Sequence, residues 1–132
     1  MSRPLPRTVV AAIDASKILG IRVGARSDHR FTGVWPIVVG GRVFVRSWTQ
    51  KPGGWYQTLL DDPIAILQVG TRQVSVRAVR ARGPTLFAAI EDAYSRKYPT
   101  PGSQKYVRGF RTKRRRAGTI EFVRRTAGRR SR

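Results

Sequence analysis

Apolar and polar positions alternate with a period of two over much of this chain, and glycine or proline marks nearly every change of period. Arg42-Val43-Phe44-Val45-Arg46-Ser47-Trp48 alternates. It predicts a strand with Val43, Val45 and Ser47 on one face and Arg46 on the other, clear of the core. Gly53-Gly54 then frees the backbone to enter a helix at Trp55, where Trp55, Tyr56, Leu59 and Leu60 recur at helical spacing until Pro63. Ile64-Ala65-Ile66-Leu67-Gln68-Val69 reads as a buried strand, and Gly70-Thr71 turns into an alternating strand over 72–80.

Upstream, a short helix is predicted over 7–15, with Val9, Ala12 and Ile13 on one face. A first strand follows over 18–25 and a polar turn over 27–30. A single second strand is predicted over 31–39, an edge or bulged one because of Pro36. Gly40-Gly41 reads as a hairpin turn. Downstream, Gly83-Pro84 opens the longest helix, over 85–98, with an inner stripe of Leu86, Ile90, Ala93 or Tyr94, and Lys97. Pro99-Thr100-Pro101-Gly102 stops it. A basic stretch over 104–118 leads to a last strand over 119–125, and 126–132 reads as a basic tail. Strands so close in sequence leave no room for repeated βαβ crossovers. The expectation is one mainly β (α+β) domain over 1–125. It is a small, nearly closed barrel of about six mostly antiparallel strands with two or three helices.

Composition narrows the chemistry. With no Cys among 132 residues, disulfides and thiolate metal sites are excluded. The N-terminal residues contain no apolar run of signal-peptide length, and no segment approaches a membrane span, so a soluble cytoplasmic protein is expected. Net charge is +20, with 22 of the 27 basic residues Arg. Residues 104–132 hold 12 basic residues against Glu121 alone. Such a run is an electrostatic footprint for polyanions. It is equally what a solvated, arginine-rich surface looks like.

Acid–base machinery is scarce. His29 is the sole histidine and sits in the polar turn. Asp61-Asp62 precedes Pro63 and reads as a helix stop, because neighbours at a helix end point apart. Ser16, Ser47 and Ser75 lack a nucleophile-elbow setting. What the chain does concentrate, between Arg42 and Tyr56, is arginine, serine, lysine, two tryptophans and two glycines at one strand-to-helix junction. That mixture suits an anionic ligand with a flat ring.

The order strand ending in Ser, glycine loop, Trp-Tyr, short helix, Asp-Pro, strand resembles the deazaflavin-dependent nitroreductases. The features Val45-Arg46-Ser47, Trp55-Tyr56, Ile90-Glu91-Asp92-Ala93-Tyr94-Ser95-Arg96-Lys97-Tyr98 and the late strand more closely resemble a small bacterial family of unknown function. That family has the same flavin-binding split-barrel fold, shared with pyridoxamine-phosphate-oxidase-like proteins. The resemblance covers roughly residues 10–125. It implies a split barrel, a homodimer, and FMN or a deazaflavin coenzyme used for hydride transfer. The candidate cofactor-binding residues are Arg26, Arg30, Trp35, Arg46, Ser47, Trp48, Lys51, Gly54, Trp55 and Tyr56. Arg26 and Arg30 stand where the nitroreductases place phosphate-binding residues. Strand two, however, lacks their Ser-Gly-Lys-type signature. In such proteins the cofactor carries the redox step, and the chain supplies binding and orientation. A different class of function stays open. Lys105, Tyr106, Arg108, Phe110, Arg111, Lys113, Arg114, Arg115 and Arg116 interleave aromatics with cations, as single-strand nucleic-acid surfaces do.

Overall fold

The computed structural model describes residues 3–24 and 31–125. Its elements are α1 (Arg7–Asp14), β1 (Leu19–Val23), β2 (Thr32–Val34), β3 (Ile37–Val39), β4 (Arg42–Arg46), α2 (Trp55–Asp61), β5 (Ile64–Val69), β6 (Arg72–Arg80), α3 (Pro84–Lys97), α4 (Pro101–Gly109), α5 (Lys113–Ala117) and β7 (Thr119–Arg124). Seven strands form one sheet in the order β2-β1-β5-β6-β7-β4-β3. Every neighbouring pair is antiparallel. The β3–β4 hairpin turns on Gly40 and Gly41, both at positive φ (57° and 76°), the geometry that a tight hairpin requires.

The expected second strand is two strands. Trp35-Pro36 interrupts the 31–39 run, and its halves pair at opposite ends of the sheet: β2 with β1, β3 with β4. Two intervening residues let Val34 and Ile37 stand no more than about 11 Å apart. The sheet must therefore curl until its edges approach each other at Trp35-Pro36. This seam makes the sheet a barrel and leaves it split there. Proline, with no amide to donate, suits the point where pairing changes hands.

Among the described residues there are five helices, where two or three were expected. The Pro99-to-Gly102 stop is also a start: Thr100 Oγ1 accepts the Ser103 amide (3.3 Å) and caps α4, with Pro101 in the first turn. Thr112 caps α5 in the same way through the Arg115 amide (3.3 Å). The sequence of α5, Lys-Arg-Arg-Arg-Ala, has no apolar periodicity to mark it as a helix, and α4 begins inside the proline-rich segment that reads as a stop.

The alternation of β4 separates two cores. Val43 and Val45 face the barrel interior with Leu19, Ile21, Leu67, Val76, Ile120 and Phe122, closed off by α1 and by Tyr56 and Leu59 of α2. Phe44 faces outward into a second core with Ile37, Ile90, Tyr94, Tyr98, Val107 and Phe110, beneath α3 and α4. β7 lies between β6 and β4, so the last strand in sequence is internal in the sheet. Among the described residues, no helix is long and apolar enough to cross a membrane.

Candidate functional site

The outer core opens into a cleft of about 270 Å³ over the barrel seam, lined by Gly33, Val34, Trp35, Arg46, Trp48, Trp55, Tyr106 and Phe110. Both sets of candidates from the sequence contribute to it. Trp35, Arg46, Trp48 and Trp55 come from the cofactor set. Tyr106 and Phe110 come from the nucleic-acid set.

Each wall is held by identifiable contacts. Trp35 stacks on Tyr98 (centroids 4.5 Å apart, planes 10° from parallel). The Tyr94 hydroxyl donates to the Trp35 carbonyl at 2.8 Å and accepts the Arg46 amide at 3.1 Å, tying the seam to β4. Trp48 meets Tyr106 and Phe110 edge-on (5.2 and 5.6 Å). The Arg115 guanidinium lies 3.6 Å from the Trp48 ring centroid. Arg115 is itself fixed, Nε donating to the Trp48 carbonyl (2.8 Å) and Nη1 to the Gly109 carbonyl (3.2 Å). Trp48 packs so closely on α4 that a Cβ at Gly109 would stand 2.5 Å from its ring. Trp48 and Tyr106 remain 40% exposed at the cleft mouth.

Arg46 lies opposite Val43 and Val45, as the alternation requires, but that face is no free surface. Its side chain is 0% exposed. Nε donates to Thr119 Oγ1 (2.7 Å), and Nη1 donates to Glu91 Oε2 (2.9 Å) and to the Phe110 carbonyl (3.0 Å). Glu91 takes a second, two-pronged contact from Arg116 (2.6 and 2.8 Å). Nη2 of Arg46 has no hydrogen-bond partner among the described residues. Burial pushes the Arg46 guanidinium below its ordinary value, and the hydrogen bond and charge of Glu91 pull it back part of the way. Burial raises the Glu91 carboxyl, but the hydrogen bonds from Arg116 and Arg46 outweigh it, and the net shift is downward. The cluster thus holds two guanidinium cations against one carboxylate, with one buried donor left over beside an aromatic cleft.

The remaining candidates sit elsewhere. Ser47 is buried, and its hydroxyl donates to the Thr49 carbonyl. Tyr56 is buried in the inner core, its hydroxyl on the Ala117 carbonyl (3.1 Å). The Gly54 amide is taken by the Lys51 carbonyl (3.1 Å), and Lys51 is exposed. Arg26, Arg30 and His29 lie outside the described residues, as does the 126–132 segment. In the basic set, α4 turns Val107 and Phe110 inward, while Lys105 and Arg108 stay exposed, as do Arg111, Lys113 and Arg114 beyond it. Arg111 bonds Ser95 (3.1 Å), and Arg115 and Arg116 are held by Trp48 and Glu91.

Glu91, Tyr94, Tyr98 and Gly109 were missed as site residues. The signal was present for Glu91. It falls in register with Phe87, Tyr94 and Tyr98, so it is an acid on the buried stripe of α3 that needs a buried cation as partner. The cleft presents no nucleophile or acid–base pair. It presents flat apolar walls, with the fixed positive charge of the buried Arg46 side chain behind them.

The comparisons agree with this architecture. Residues 9–122 match the family described as an uncharacterized protein conserved in bacteria (DUF2255). The chain belongs to that family. No curated protein matches it in sequence. Among solved structures it is similar to an F420-H2-dependent reductase, FDR-A (18% identity, covering 81% of this chain and 93% of that one, TM-score 0.55). It is similar to a putative pyridoxamine 5'-phosphate oxidase from Listeria innocua (7% identity, 88% of each chain, TM-score 0.57). A FAD-binding protein from Mesorhizobium loti is a third (13% identity, 93% of this chain and 91% of that one, TM-score 0.53). At these identities the likeness is one of fold: this family member shares the flavin-binding split-barrel architecture.

Proposed function

We propose that this protein binds the ring of a flavin or deazaflavin cofactor in the aromatic cleft and uses it for hydride transfer. One observation carries the reading: Trp35, Trp48, Trp55, Tyr106 and Phe110 converge on a single cleft whose lining also includes the buried cation Arg46. Aromatic walls favour a planar ring by offset or edge-on packing. Arg46 supplies positive charge beside the cleft, where a reduced, electron-rich ring would need it. The residues present therefore fit the group. When bound, the cofactor supplies the redox chemistry. The chain binds and orients it and keeps water from one side. The shared architecture of flavin-binding neighbours is consistent with this reading and raises its standing by analogy.

A homodimer belongs to the same reading. Trp48 and Tyr106 at the cleft mouth are apolar surface that a second copy would cover. The nucleic-acid alternative has less behind it, because Arg115 and Arg116, the end of its basic run, are committed to Trp48 and Glu91. The test is an absorbance spectrum of the purified protein followed by titration with FMN, FAD and a deazaflavin coenzyme, read by tryptophan fluorescence. Quenching that saturates at micromolar cofactor is expected. No binding of any of the three would overturn the proposal.

A further inference from the structure

The aromatic cleft is small for a complete cofactor. Pockets for drug-sized ligands and cofactors run to about 300–1,000 Å³, and 270 Å³ admits a ring system and little more. Trp48 also borders a second cavity, of about 540 Å³, lined by Trp48, Thr49, Thr112, Arg114 and Arg115. The two cavities meet at this one indole, and their chemistry is opposite. The first is walled by aromatic rings. The second offers two guanidinium groups and two threonine side chains, with no carboxylate in its lining.

The second cavity is partly preformed. Arg115 is held on the Trp48 ring by its bonds to the carbonyls of Trp48 and Gly109, so its charge stays in place without a ligand. Arg114 is exposed and makes no side-chain hydrogen bond or ion pair among the described residues. It is a cation with no structural task. Its backbone carbonyl, by contrast, accepts from Gln50 Nε2 (2.6 Å), which anchors the α5 backbone to the loop after β4.

We propose that this second cavity is the seat of a phosphate ester on the ligand whose ring fills the aromatic cleft, with Trp48 as the wall between them. The proposal rests on the cofactor reading and narrows it: the ligand is a phosphorylated flavin-type nucleotide rather than a bare ring. A guanidinium binds phosphate through charge-assisted, geometrically matched hydrogen bonds. The site lies between the loop after β4, which supplies Thr49, and the α4–α5 segment, which supplies Thr112, Arg114 and Arg115.

Riboflavin and FMN share one ring and differ by the phosphate, so they separate the two cavities. Titrations of the full chain, read by tryptophan quenching, should give FMN an affinity at least about tenfold above that of riboflavin. Arg114→Ala should weaken FMN by about 3–10-fold and riboflavin by less than about twofold. An unchanged melting temperature in Arg114→Ala would show that the loss is not one of folding. Excess inorganic phosphate should lower FMN to the level of riboflavin while leaving riboflavin alone. Equal affinities for the two flavins, or an FMN affinity indifferent to Arg114→Ala, would remove the phosphate site and leave the cleft reading standing. If neither flavin binds, the cofactor reading falls and the phosphate site falls with it.

Discussion

Replacing Glu91 with Gln should cost this protein much of its stability, although Glu91 lies outside the barrel. Among the described residues, the carboxylate is the only acid on two cations, with Arg46 Nη1 at 2.9 Å and Arg116 Nε at 2.6 Å. The Arg46 side chain is completely buried and cannot turn to water for compensation. Glutamine keeps the shape but removes the charge, and its amide nitrogen adds a donor where only donors are present. Removing one partner of a buried ion pair costs about 3–5 kcal/mol, mainly because the other charge is left unpaired. Against a total stability of about 5–15 kcal/mol, that loss is severe. For a domain of this size it corresponds to a melting point lower by about 10–20 °C. Arg116→Ala is the contrasting variant. Arg116 is 43% exposed, and Glu91 would keep Arg46, so the loss should be far smaller than for Glu91→Gln. Urea unfolding of the three proteins at neutral pH measures both. The pH dependence adds a sign. Hydrogen bonds hold the folded Glu91 carboxyl below its ordinary value of 4.5, so its contribution is present above that pH and is lost as pH falls through the lowered folded value. The gap between the native protein and Glu91→Gln should therefore close in acid. A Glu91→Gln variant within about 1 kcal/mol of the native protein, or one matched by Arg116→Ala, would refute the idea of a buried charge network.

Gly109→Ala should destabilise the chain and disturb the Trp48 emission. Overpacking against a ring 2.5 Å away costs about 1–3 kcal/mol, and the better helix propensity returns only about 0.5–1; a variant more stable than the native protein would show that Trp48 is not wedged there. Alkaline titration of stability should rise and then fall. Burial lowers Lys97 to about 8, so the unfolded chain binds the extra proton and stability grows between about pH 8 and 10. Burial also raises the Tyr94 and Tyr98 hydroxyls above their ordinary 10, so stability falls beyond that pH. Lys97→Met should abolish the rise alone, and a native profile flat from pH 8 to 10 would contradict the assignment. Truncation after Gly118 should leave the chain unfolded by circular dichroism, because β7 bridges β6 and β4 and contributes Ile120 and Phe122 to the inner core; side chains of this kind are worth about 1.5–3 kcal/mol each. A folded truncated chain would mean that the sheet closes without it.

What the sequence by itself determined was local. The alternation of Arg72–Arg80, the apolar run Ile64–Val69, the stop at Pro63 and the glycine hairpins are written in short-range patterns, and the strands and α2 follow them. The parity of β4 likewise placed Val43 and Val45 together and Arg46 opposite. Its neighbours in the sheet were not written there. Nothing in the 31–39 run says that its halves belong to opposite edges of the sheet, because strand pairing is a contact between residues far apart in sequence. The same holds for Arg46. One-dimensional parity gives a face, but whether that face meets water or a helix is decided by α3 and α4 folding back over it. There Arg46, besides lining the cleft, becomes the partner of Glu91, 45 residues away. The cleft follows from the same event. Tyr106 and Phe110 are one helical turn apart, but Trp35 and Trp48 share no period with them, and the four meet because barrel closure and helix packing bring the seam and α4 onto one spot.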